Sequence, residues 1–416
     1  MSKEDIAAGT LVILLGGGQG ERLYPLTRDR AKPAVPFGGI YRIIDLSLSN
    51  CMNSGLRRIY VLTQYKSVSL DRHLRMAWRC FNEELGEFVI SMPPQQRAGA
   101  RWYAGTADAI YQNIYTLEQE RPERVLVLAG DHIYKMNYME MIEFHIERKA
   151  NITVASVEVP IEEAYRFGVL VVDEDMRITG FQEKPGQPTP LPGRPDTCLV
   201  SMGVYVFDTP TLVQVVSEDS KRDTSHDFGK DILPRKTTER AVYAYPFKDE
   251  NRGEVKYWRD IGTVDAYWQA NMDLLSTDRV FHLEDATWPI RTYQEQHAPA
   301  RFFDDPESGC RGEAHNSIIS QGCILQGGQV EHSVLSPMTK VGPESEVSDC
   351  IFMHNVQIGK RCRLNKTIVD KDVSIPDGAE VGIDPEQDRK RFTRTASGVV
   401  VIPKGVPPNE SFWKPE

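Results

Sequence analysis

Gly16, Gly17, Gly18 and Gly20 follow an apolar run, and Arg22, Arg30 and Lys32 come shortly after them. Glycines let a backbone turn sharply and bring its N–H groups close to a phosphate, and the three side chains add fixed positive charge. Such a loop suits a polyphosphate. It is not a Walker A loop, because no Gly-Lys-Ser/Thr ends it. No acid stands at the distance from which a dinucleotide-binding fold grips a ribose; Asn50, Asn53 and Gln64 are poor substitutes. The glycines alone are equally compatible with a turn that packs a helix on a sheet, the cations then being solvated. Two further candidates are Asp131, after RVLVLAG, and Asp260, in YWRDIGT. A carboxylate at the tip of a parallel strand points into the crevice where ligands bind, although a lone Asp after a strand is more often a turn residue.

These residues need strands to carry them. Residues 11–15 read as a buried strand, 58–63 as a second and 124–129 as a strong central one. Residues 151–160 and 199–207 read as further strands, and 167–181 as a hairpin turning at 173–176. Strand and helix patterns alternate over the first two-thirds, which predicts an α/β sandwich with a Rossmann-like, mostly parallel sheet. Residues 66–78 have helical spacing, and 92–101 and 185–195 are irregular loops. Gly105-Thr106-Ala107-Asp108 reads as a turn and cap opening a helix, and Asp227 as an N-cap.

The glycine stretch resembles the nucleotide-binding signature of sugar-1-phosphate nucleotidyltransferases, G-x-G-x-R-L followed by K-P-A. The continuation FGGIYRIIDLSLSNCMNSG at 37–55 narrows the resemblance to the ADP-glucose pyrophosphorylase (glucose-1-phosphate adenylyltransferase) family of the bacterial glycogen-synthesis type. It covers nearly the whole chain. The resemblance implies adenylyl transfer from ATP to α-D-glucose-1-phosphate, giving ADP-glucose and pyrophosphate, the regulated step of glycogen and α-glucan synthesis. It makes Arg22, Lys32 and Asp131 catalytic. Gly16, Gly17, Gly18, Gly20, Gln96, Gly105 and Thr106 would bind the nucleotide, and Asp131 with Asp260 would hold Mg²⁺. It places Tyr103, Gly168, Glu183, Lys184, Ser201, Tyr205, Asp227 and Trp258 at the sugar phosphate, with Lys184 of the F-x-E-K-P segment on its phosphate. His132 is expected to be structural.

There are two departures. Glu21 stands where Thr or Ser is usual, and is expected to point away from the triphosphate. Asp29 stands where many members carry a basic residue for activator binding, with Arg28 one step earlier. Arg42, Arg391 and Arg394 are therefore the expected contacts of anionic metabolite effectors, the last two from the basic cluster DRKRFTR, whose plainer reading is a solvated charge run. The resemblance also implies a homotetramer. Its rivals are a sugar-1-phosphate nucleotidyltransferase that uses UTP or dTTP, and a non-catalytic regulatory paralogue.

The C-terminal part carries a repeat. Ile324, Val341, Ile358 and Ile375 are 17 residues apart, as are Val330, Val347, Leu364 and Val381, and Ile318, Leu335, Phe352 and Val369. Three apolar rows at constant phase predict a left-handed parallel β-helix of about four coils. Acetyltransferase chemistry on it would want a catalytic histidine, and His315, His332 and His354 lack a recognisable context for one. The expected division is a catalytic domain at 1–277, a linker at 278–312 and an oligomerising, regulatory β-helix at 313–416.

Bulk properties agree. The 416 residues suffice for two domains, and 40% hydrophobic with 26% charged residues is ordinary for a soluble protein. A net charge of −10 argues against nucleic acid as partner. Seven cysteines without C-x-x-C spacing read as reduced thiols, and no apolar run reaches membrane-spanning length; a cytoplasmic location is expected.

Overall fold

The structure is a computed structural model that describes residues 1–95, 102–248, 256–277, 281–407 and 410–413. The chain divides into two compact units. One comprises residues 1–18, 46–67 and 74–258, and the other residues 19–45, 68–73 and 259–416.

The first unit is built on a mixed, mostly parallel sheet. Thr10–Leu15 pairs in parallel with Arg58–Leu62 on one side and Arg124–Ala129 on the other, and Phe88–Met92 extends the sheet beyond Arg58–Leu62. Thr197–Asp208 joins Arg124–Ala129 antiparallel and carries Ile152–Pro160, itself parallel to Val242–Pro246. The central strands read as near-continuous apolar runs because helices cover both faces; Leu11, Val12, Leu14 and residues 125–128 are wholly buried. The long antiparallel strand loses register between Ser201 and Tyr205, where Gly203 adopts φ +69°. Its early part keeps Ile152–Pro160 as one neighbour and also pairs with Gly168–Val172, whose hairpin partner is Ile178–Glu183.

In the second unit, three parallel ladders stack a left-handed β-helix. Two hold five strands each, and the third also has five parallel strands, ending on Val400–Ile402, with Thr393–Arg394 antiparallel at its edge. There are thus five coils, not four, because Arg301–Phe303 and Glu313–His315 supply one before the visible repeat. The 17-residue register holds from Val341, Val347 and Leu335 onwards. One coil earlier it still holds for Val330, which pairs with Val347, but fails in the other two rows: Leu325, not Ile324, pairs with Val341, and Ile319, not Ile318, pairs with Leu335. The corner at Gly327-Gly328 is one residue shorter than its successors at Gly342-Pro343 and Gly359-Lys360. A one-residue shift exchanges the faces of a strand, so Leu325 is wholly buried while Ile324 is not.

A buried ion pair anchors residues 19–45 to this β-helix within the second unit. Arg30 Nη2 donates to Asp370 Oδ1 at 2.8 Å and Oδ2 at 3.1 Å, with both side chains under a tenth exposed. Removing one partner strands the other charge away from water, a loss of about 3–5 kcal/mol. Tyr267 adds a hydroxyl donated to Pro36 O at 2.6 Å, and Asn271 Oδ1 accepts from Gly38 N. All seven cysteines are free thiols, and among the described residues no helix is long and apolar enough to cross a membrane.

The coil corners tolerate no side chain where turns touch. At Gly382, φ is +79° and an added Cβ would lie 1.7 Å from Asn365 O, whereas Gly378 has φ +72° with nothing within 4 Å. Both alanine variants carry backbone strain, but only Gly382→Ala adds a backbone clash. Gly382→Ala should therefore cost at least about 2 kcal/mol and Gly378→Ala clearly less, read as midpoints of thermal unfolding.

Candidate functional site

The central strand brings the glycine loop and Asp131 to one edge of the sheet. Gly16 N donates to Leu62 O at 2.8 Å and Gly130 N to Leu15 O at 3.2 Å, so the three strand ends are stitched where the loops leave them. Gly17 packs on Gln64, where an added Cβ would be 3.0 Å from Gln64 Cβ, while around Gly18 nothing lies within 4 Å. Asp131 follows at the tip with a partly exposed carboxylate 3.5 Å from His132 Nε2. Beyond it His132 meets the Trp258 ring edge-on at 5.3 Å, and Phe167 meets the same indole at 5.3 Å. The indole N–H of Trp258 is buried with no hydrogen-bond partner among the described residues. His132 thus packs edge-on against this indole.

The expected sugar-site residues all belong to the first unit. Lys184 extends beyond strand Ile178–Glu183, ion-paired to Glu183, and is well exposed. The Phe181 ring lies over Gly168, where a Cβ would meet it at 2.3 Å. Asp227 acts as a cap and keeps one acceptor position on Oδ2: Oδ1 accepts from Gly229 N and Lys230 N at 2.9 and 3.1 Å, and Oδ2 from Thr106 Oγ1 at 3.1 Å. Thr106 Oγ1 accepts in turn from Phe228 N. Gly105 is held against Ser225 O and His226 O, which a Cβ would approach to 2.2 and 2.4 Å. Tyr205 packs on Phe228, and burial pushes its phenol pKa upwards. Ser201 Oγ accepts from Gly203 N, and Tyr103 OH from Asn113 Nδ2. Gln96 lies outside the described residues. Asn113, and the Tyr65–Trp102 stack at 5.6 Å, carry no motif that a sequence reading could single out.

Arg22, Lys32 and Asp260 belong to the second unit, and they converge there. Lys32 Nζ is 3.6 Å from Asp260 Oδ1, and a Cβ on Gly262 would come within 3.0 Å of Asp260 Oδ2 and 3.3 Å of Arg22 Nη2. The glycine therefore leaves room for two cations and a carboxylate to meet. Gly20 makes the turn that aims Arg22: its φ is +67°, and Thr27 Oγ1 donates to its carbonyl at 2.8 Å. Glu21 is exposed. Both candidate ligand residues, Asp131 and Asp260, offer partly exposed carboxylates. Hard oxygen donors of this kind fit a divalent cation such as Mg²⁺.

The expected effector cluster needs correction. Arg42 lines a cleft of about 130 Å³ with Tyr41, His73, His297, His354 and Lys371, but Arg391 and Arg394 do not line it. Arg391 closes the end of the β-helix instead, donating to Trp413 O at 2.6 Å and to Gln387 O and Glu380 O. Arg394 lies against Gly398. Lys371 supplies the second cation of the cleft. Burial, then Arg42 and Arg30, bring its pKa down to about 8. Its sequence context, V-D-K-D, reads as a solvated corner and gives no hint of this. Asp29 is neutralised by Arg28 at 2.9 Å, which holds its carboxyl below the usual range, and Arg28 also donates to Lys404 O.

Comparison with known proteins agrees with this arrangement. Residues 11–277 match the nucleotidyl transferase family model, and residues 298–402 match the model described as GlmU-like, C-terminal hexapeptide. The chain is 51% identical to a glucose-1-phosphate adenylyltransferase of Rhodopirellula baltica, over 95% of this chain and 90% of that one. It is 50% identical to the enzyme of that name from Koribacter versatilis, over 94% and 95% of the two chains. To glucose-1-phosphate adenylyltransferase 2 of Vibrio cholerae it is 48% identical, over 95% and 98%. With a nucleotidyltransferase sheet, a hexapeptide β-helix and relatives matching both along their length, the chain belongs to the glucose-1-phosphate adenylyltransferase family.

Proposed function

We propose that the protein catalyses Mg²⁺-dependent adenylyl transfer from ATP to α-D-glucose-1-phosphate, giving ADP-glucose and pyrophosphate. The observation that carries this reading is the convergence of Arg22, Lys32 and Asp260 around Gly262. A non-catalytic paralogue would have no use for two cations gathered at a strand-tip carboxylate. In the reaction, an oxygen of the sugar phosphate attacks the α-phosphorus of ATP in line, and the bond to pyrophosphate breaks. The nucleophile is already anionic, so no general base is needed. Catalysis rests on positioning and charge neutralisation. Arg22 and Lys32 offset charge on the departing pyrophosphate. The amides of Gly17, Gly18 and Gly20 lie along the triphosphate, with Gly16 tied to the sheet behind them, and Gly105 and Thr106, with Gln96, frame the adenine. Lys184 holds the attacking phosphate. Glu183, Asp227 and the indole N–H of Trp258 meet the sugar hydroxyls, with Tyr103, Gly168, Ser201 and Tyr205 shaping the wall. Asp131 and Asp260 are the residues that would hold Mg²⁺, which when bound supplies Lewis-acid polarisation of phosphate oxygens.

The cleft of Arg42 and Lys371 takes anionic metabolite effectors in this reading. Two desolvated cations, of which Arg42 already depresses Lys371, gain most from a bound anion. The β-helix serves assembly, which we propose is a homotetramer acting in the cytoplasm; light scattering on the purified protein tests the assembly.

Pyrophosphate release from ATP, Mg²⁺ and glucose-1-phosphate should exceed release with UTP or dTTP. It should fall at least about 100-fold in Asp131→Asn. Release with UTP alone would overturn the assignment of the base, and none with any nucleotide would favour the regulatory paralogue. In Lys184→Gln, loss of a charged hydrogen bond should raise KM for glucose-1-phosphate about 10- to 100-fold while KM for ATP stays near the parent value.

Lys371 gives the effector cleft a pH dependence. Its folded pKa lies below the ordinary lysine value, so it is protonated below about 8 and loses its charge above. Sulfate, whose own charge is constant there, should bind more weakly as pH rises through about 8. Lys371→Met should flatten that dependence in calorimetric titrations.

A further inference from the structure

The same cleft carries a second chemistry, independent of the adenylyl-transfer reading. Glu295, His297 and His354 each offer one ligand atom, and these atoms all lie within 4.8 Å of one another. Nε2 of His297 is 3.5 Å from Glu295 Oε2, and Nε2 of His354 is 4.0 Å from the same oxygen. The two imidazole rings are 5.8 Å apart. Donors bound about 2.0–2.1 Å from a tetrahedral ion stand about 3.3 Å from one another. The observed spacing thus needs only small side-chain shifts to close on an ion.

Backbone contacts fix the three residues without using their ligating atoms. Gln321 Nε2 donates to Glu295 O at 2.8 Å, and Gly322 N donates to Ala298 O at 2.6 Å, immediately after His297. Asp372 N donates to His354 O at 3.1 Å. Nε2 of His354 is buried and has no hydrogen-bond partner among the described residues. A buried ring nitrogen without a partner is costly, and a metal ion would satisfy it. Burial, with Lys371 as the next cause, holds the His354 imidazole below its ordinary pKa. Lys371 and Arg42 line the cleft and oppose any cation. The Glu295 carboxylate works against them.

We propose that Glu295, His297 and His354 form a binding site for a divalent transition-metal ion of the Zn²⁺ type. Two imidazoles and one carboxylate suit such an ion, whereas the all-oxygen pair Asp131 and Asp260 suits Mg²⁺. Three protein donors leave a coordination position for water or an anion.

Titration of the full-length protein with Co²⁺, in excess Mg²⁺ to occupy oxygen-donor sites, tests this. One equivalent per chain should bind with the visible d–d bands of a four- or five-coordinate nitrogen and oxygen site, and Zn²⁺ should displace it. His297→Ala and His354→Ala should each weaken binding at least about 100-fold, since loss of outer-shell partners alone costs 10- to 100-fold. The near-isosteric Glu295→Gln should weaken it at least about tenfold while circular dichroism shows an unchanged fold. Cys80→Ser, which removes the exposed thiol, should change nothing. The proposal is overturned if the parent shows no such bands, or if bands and affinity survive in both histidine variants.

Discussion

The pairing of Thr10–Leu15 with a parallel strand on each side is the constraint on which the first unit depends. Parallel strands all point the same way, so their C-terminal ends, and every loop that leaves them, fall on one edge. The glycine loop and Asp131 reach the same edge for this reason, although more than a hundred residues separate them. The cost is that the strands are buried on both faces and must be apolar throughout. Chemistry is then confined to the tips, which is where the polar residues of this unit gather.

The second unit obeys a different constraint. Each coil buries a single apolar layer, and the hydrogen bonds run from coil to coil, so the corners must superpose closely. Gly342 and Gly382 stand where a neighbouring carbonyl, and Gly359 where Asp377 Oδ1 and N, leave no space for a side chain. Glycines at Gly327-Gly328 permit a corner with one residue fewer, and the strand before it keeps its inward row only by facing Leu325 inward in place of Ile324. The stack is thus tolerant of sequence along its faces and intolerant at its corners.

Charge in the second unit is concentrated, not spread. Arg30 is neutralised by Asp370, but Arg42 and Lys371 share a partly dry cleft without an equivalent ion pair of their own among the described contacts. Arg42 donates to Ser69 Oγ and Ser69 O, which satisfy its hydrogen bonding but not its charge. Desolvation lowers the pKa of both side chains. A fold that tolerates such crowding carries a local field that can discriminate among ligands by charge, as the global charge of −10 cannot.

The sequence by itself determined the fold class, because its two signals are periodic and local: alternating strands and helices, then a period of 17. It also determined the family, since LLGGGQGERL, RAKPAV, AGDHIY and FQEKP are contiguous motifs. Tertiary structure alone decided the outer coil at Arg301–Phe303, which has no neighbour on one side from which to establish a period. It decided that Asp227 uses Oδ1 for capping, and that Arg391 seals the end of the β-helix while Lys371 enters the cleft. It alone gathered Glu295, His297 and His354, because nearly sixty residues of coil lie between the first and the last. The physical reason is the same in each case. A motif records what adjacent residues do together, whereas the partners of a buried charge or an imidazole are set by which turns of chain fold back beside it.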